Sequence, residues 1–152
     1  MALRYILLAV FLTAVTGVIL WKFGEASDPG FADADDPGLV AQGSELYGAH
    51  CAACHGANLE GQPNWQQRGP DGKLPAPPHD ETGHTWHHPD AQNFKVTKLG
   101  TEALAPPGYR SDMKGFADIL SDREIWAVLA YIKSRWPAEI RRRHAARSTQ
   151  TR

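Results

Sequence analysis

Two thiols and an imidazole stand together at Cys51-Ala52-Ala53-Cys54-His55. Cysteines three apart, with a histidine directly after the second, form the attachment signature for a c-type haem. Residues i and i+3 of a helical turn share a face, so both thiols can meet the two vinyl groups of one porphyrin. His55 is then carried under the iron, where imidazole is the usual proximal ligand. A lone Cys-x-x-Cys could instead form a redox disulfide or bind zinc. The adjoining histidine and an export-type N-terminus favour haem. The chain has only these two cysteines, so two thioethers would leave no thiol for a disulfide.

The rest of the 152 residues must carry this motif. Residues 1–23 read as a membrane anchor, 24–38 as an acidic linker, 39–136 as the folded domain and 137–152 as a basic tail. Tyr5 to Trp21 is a run of 17 residues without a charge, about 26 Å of helix, near the lower limit for crossing a bilayer. It is longer than the apolar region of a signal peptide, and Trp21-Lys22-Phe23 has the make-up of an interfacial anchor. The competing reading is an export signal with a poor cleavage site at Gly24-Glu25-Ala26. An anchor would give a single-pass protein of the bacterial cytoplasmic membrane. Its haem domain would face the periplasm, because c-type attachment in bacteria takes place outside that membrane. The linker, with five acids, two prolines and three glycines, reaches at most about 50 Å.

Charge is segregated. Residues 24–136 carry a net −7, and residues 137–152 a net +4 from five arginines against Glu139. An acidic body argues against nucleic acid as a partner. The tail is suited to anionic lipid, to an acidic protein, or to solvent alone.

Three helices are legible. Leu39 to His50 has helical spacing in Leu39, Gly43, Leu46, Tyr47 and His50. Asp90 to Leu99 lies between Pro89 and Gly100, a start and a stop signal, with Phe94 and Leu99 expected to face inward. Asp122 to Arg135 opens with a capping box, Ser121-Asp122-Arg123-Glu124. It carries the stripe Ile125, Val128, Leu129, Ile132 and Trp136, and Pro137 should stop it. Between Asn58 and Pro89, and again from Thr101 to Gly115, repeated Gly and Pro read as loop.

Gly43 and Tyr47 ahead of Cys51-Ala-Ala-Cys54-His55-Gly56, with Val128-Leu129-Ala130-Tyr131-Ile132 near the end, resemble class I c-type cytochromes. The resemblance spans residues 39–136 and is strongest at both ends and at the haem motif. It implies an all-α fold, the class I cytochrome c fold, a small helical domain wrapped around one covalent haem c. The closing helix should cross the first, with Gly43 allowing close approach while Tyr47 and Tyr131 pack beside it. The family places a distal methionine in the loop before that closing helix. Met113 stands there, 58 residues after His55, although Lys114 replaces the proline that often follows. A His55/Met113 pair would raise the reduction potential and leave no open coordination position.

No nucleophile motif or phosphate-cradling loop occurs, so an electron carrier is expected rather than an enzyme. The haem would shuttle one electron between periplasmic or membrane respiratory partners. The donor would be a quinol-oxidising complex or a dehydrogenase, and the acceptor a terminal oxidase or a reductase. A fixed electron-transfer subunit of such a complex is equally consistent. The loop containing His79, His84, His87 and His88 keeps alternatives open: a bis-histidine haem, copper or zinc binding, hydrogen bonds to haem propionates, or nothing specific. Trp65 and Trp86 are candidates for the haem periphery. A haem sensor or small haem enzyme with an exchangeable distal ligand is the competing function, and a copper-handling protein a third.

Overall fold

A computed structural model describes residues 28–149. The candidate anchor at 1–23, the start of the linker and residues 150–152 lie outside them. The described chain is helical, with no strand among its residues beyond a single bridge between Gly100 and Lys114. Among the described residues, no helix is long and apolar enough to cross a membrane.

The first helix, α1, runs Pro37–His50. It starts two residues earlier than the apolar pattern indicates, inside the acidic stretch. Asp36 is its cap, accepting from the backbone N–H groups of Gly38 at 2.8 Å and Leu39 at 3.0 Å, and Pro37 suits a first turn. Leu39, Gly43 and Tyr47, four apart, form its buried face. A second short helix, α2, is Ala52–His55. After a long loop with a 3₁₀ turn at Thr85–His87 come α3, Asp90–Leu99, and α4, Thr101–Leu104.

Helix α5, Asp122–Ser134, has the expected capping box, with Ser121 and Glu124 satisfying each other's backbone N–H groups. Ile125 to Ala130 and Ile132 are all buried, so neighbours cover this helix on several sides. It crosses α1 at Gly43, where a Cβ would lie 1.9 Å from the carbonyl oxygen of Ala127. On one side Leu39, Ile125, Trp126 and Leu129 form a core that Phe94 completes, stacked on Trp126 at 4.2 Å between ring centroids. On the other, Tyr47, Leu59, Val128, Ile132 and Trp136 pack together.

Leu99 does not face inward. It is 50% exposed, because it lies five residues after Phe94, about 140° further round the helix.

The arginine-rich end of the chain is also different from a free tail. Pro137 ends α5 as expected, but Ala138–Thr149 forms a further helix, α6. Ile140 and His144, one turn apart, give it an inward face: Ile140 joins the Trp136 cluster, and His144 is fully buried with its ring edge-on to Trp136 at 5.0 Å. The arginines occupy the remaining surface. Arg142 and Arg143 pair with Glu139, Arg141 with Asp35 at 3.1 Å, and Arg147 donates to the carbonyl of His87.

His144 also meets a charged pair. Its Nε2 is 3.3 Å from Asp90 of α3, and Asp90 is held by Lys133 of α5 at 2.8 Å. Burial lowers the affinity of His144 for a proton; Asp90 opposes this, while Lys133 and Arg147 add to it. The unfolded chain therefore takes up this proton first as pH falls below about 6.5, so stability falls with it. Replacing His144 with phenylalanine should flatten that fall by up to about 1.4 kcal/mol per pH unit. Urea unfolding at pH 7.5 and pH 5.5 measures it, and equal slopes in both proteins would refute it.

Candidate haem site

Helix α1 ends at Cys51 and the chain turns again at once. Cys51 has φ −119°, its carbonyl accepts from the N–H of His55 at 2.9 Å, and Gly56 donates back to Ala52. This single turn places Cys54 exposed, Cys51 half-buried and His55 only 7% exposed. Burial, and then Cys54, pushes the Cys51 thiol up to about 11.

The imidazole of His55 is oriented by a group far along the chain. Its Nδ1 is 2.8 Å from the carbonyl oxygen of Pro77. A carbonyl can only accept, so Nδ1 carries the proton and the lone pair is on Nε2. Burial holds the ring below the usual histidine range, with the Pro77 bond acting weakly against it. A neutral imidazole with one nitrogen committed to a carbonyl is the usual state of a metal-ligating histidine. The loop beneath is tight. Tyr47 donates its hydroxyl to the Gly56 carbonyl at 2.9 Å, Gly61 donates to that of His55, and Leu59 is held buried at φ +71°.

Met113 is half-buried in a second loop, which has its own anchors. Its carbonyl accepts from Thr101, its own N–H is bound by the Ser111 hydroxyl, and Phe116 and Ala117 donate to Thr97 and Lys98 at the end of α3. Gly100 and Gly115 make this approach possible. A Cβ on Gly115 would lie 2.6 Å from the carbonyl carbon of Leu99.

The sequence pattern of the Cytochrome c family matches residues 40–136. The chain belongs to that family. No curated protein matches it.

Membership of the cytochrome c family implies a covalently held haem c and points to electron carriage rather than enzymatic turnover. The donor set fits such a group: two thiols and a lone pair on Nε2, presented from one turn. The histidine loop of this cytochrome does not gather into a metal site. Among the described residues, no group of three or more His, Cys, Asp or Glu is placed to hold a metal ion. Instead the rings pair off. His84 stacks on Trp65 and meets His88 edge-on, each at 5.4 Å, while the Trp86 ring lies 3.7 Å from His87 and under the Arg147 guanidinium. His79 stacks on His55 itself, 4.0 Å between centroids.

One site residue and one contact escape a sequence reading. Pro77 acts through a backbone carbonyl, which every residue possesses. His79 could be noticed as a histidine but not as a neighbour of His55.

Proposed function

We propose that this cytochrome carries single electrons between redox-partner proteins, using one haem c bound through Cys51 and Cys54. In this reading His55 Nε2 is the proximal ligand and the Met113 sulfur the distal one. The observation that carries it is the Pro77 hydrogen bond, which leaves Nε2 as the free donor beside two thiols on the same turn. The haem supplies the one-electron couple of its iron. The chain's part is to hold His55 in one tautomer, keep water from its buried ring, and bring Met113 in on a loop clamped to α3. A thioether partner stabilises the reduced iron and closes the sixth position.

Tyr5–Trp21 anchors the domain to the cytoplasmic membrane on its periplasmic side. The partners are a quinol-oxidising complex or dehydrogenase as donor and an oxidase or reductase as acceptor. Ala32 is already buried and its carbonyl is bound by Lys133. Ten residues separate Trp21 from Ala32, a span of at most about 35 Å. That confines the haem domain near membrane complexes.

The test is the visible spectrum of the dithionite-reduced full-length protein, with and without carbon monoxide. An unchanged spectrum is expected, since a closed six-coordinate iron has no place for the gas. Rapid and complete conversion to a carbonyl complex would overturn Met113 ligation and favour an exchangeable distal site.

A further inference from the structure

His79 is fixed on every side. Its Nδ1 is 2.7 Å from the Thr85 hydroxyl, its N–H donates to Leu59 at 2.8 Å, and its carbonyl accepts from the Trp136 indole at 2.7 Å. The Tyr47 ring meets it edge-on at 6.3 Å. Its own ring lies against His55 with only 22° between the planes. Trp136 is in turn wedged by His144 of α6.

We propose that His79 is a positioning residue, whose flat ring sets the rotation of the His55 imidazole about its bond to iron. The inference rests on His55 being the proximal ligand. An imidazole bound through Nε2 can still rock about the metal–nitrogen axis within the limits that its Cβ allows. The Pro77 bond holds the ring at one edge atom, Nδ1, and leaves its faces unsupported. A ring packed on its face blocks the swing, since turning His55 would drive its edge into His79. His79 cannot give way, because Thr85 holds its nitrogen and Leu59 and Trp136 hold its backbone. The plane of the imidazole decides which iron d orbital overlaps its π system. It thereby decides how unpaired spin is spread over the porphyrin and which haem edge is electronically best coupled to a partner. Through Trp136 and His144, the C-terminal helix becomes part of this brace.

Proton NMR of the oxidised full-length holoprotein tests it, because the order of the four haem-methyl resonances responds to the plane of the His55 imidazole together with the orientation of the thioether. His79→Leu should reorder them while haem content and the far-red sulfur-to-iron absorption stay intact. His79→Phe, which restores a flat face, should return the pattern towards that of the parent. Thr85→Val should move it part of the way, and His84→Leu should leave it alone. An unchanged methyl order in His79→Leu would overturn the proposal. If His79→Leu does not mature, an unchanged order in Thr85→Val does so instead. Failure of the underlying reading is separately visible: the parent protein would then lack strongly shifted ring-proton signals from His55.

Discussion

Gly43→Ala should lower the melting temperature of the holoprotein by about 10 °C, whereas Gly48→Ala, on the same helix, should not lower it. The added methyl at position 43 would lie 1.9 Å from the oxygen and 2.5 Å from the carbon of the Ala127 carbonyl, and 2.9 Å from the Tyr131 Cβ. All three belong to α5 or to the root of a side chain, so nothing can rotate aside. The helices would have to move apart along their whole crossing, loosening Leu39 and Tyr47 on α1 and Ile125 and Val128 on α5. Overpacking of this kind costs typically up to about 3 kcal/mol. The better helix propensity of alanine returns about 1 kcal/mol. At Gly48 only that gain remains, because a Cβ there meets nothing within 4 Å. Thermal unfolding followed by circular dichroism separates the two. Equal melting temperatures for both variants would mean that the crossing has room for a methyl group.

Met113→Ala should convert a closed iron into an open one. The far-red sulfur-to-iron absorption should vanish, the reduced protein should bind carbon monoxide completely on mixing, and the reduction potential should fall as the thioether is lost. Chain geometry adds a graded companion. Gly115→Ala leaves Met113 in place but puts a Cβ 2.6 to 2.8 Å from the backbone of Lys98 and Leu99. The loop would have to lift from α3, straining the bonds of Thr101, Phe116 and Ala117, so partial carbon monoxide binding is expected. His84→Leu, by contrast, should bind none, since His84 is engaged with Trp65. A Met113→Ala protein that remained inert to carbon monoxide would show that some other side chain closes the site.

Several elements were legible from local pattern. The capping box at Ser121 and Glu124, the bounds of Asp90–Leu99 and the turn carrying Cys51, Cys54 and His55 each depend on residues close in sequence, and the crossing at Gly43 was expected too. Gly43 owes its meaning to the family resemblance as well, since a small residue alone names no partner. The acidic stretch was less legible: Asp36 and Pro37 belong to a helix, although composition made them linker. At the other end, five arginines outweighed the two positions that matter, Ile140 and His144, and a docked helix read as a tail.

What the sequence determined by itself is the chemistry at one turn, two thiols and an imidazole, because short-range helix geometry brings such neighbours together without help from the rest of the chain. Tertiary structure alone decided how that imidazole is held. The Pro77 carbonyl lies 22 residues from His55, and the Trp136 indole 57 residues from His79. The second contact arises where the end of α5 meets the loop, with His144 of α6 packed on the same indole. The physical reason is that a carbonyl or a ring face has no sequence signature; it acquires a role only when the path of the chain puts it within reach.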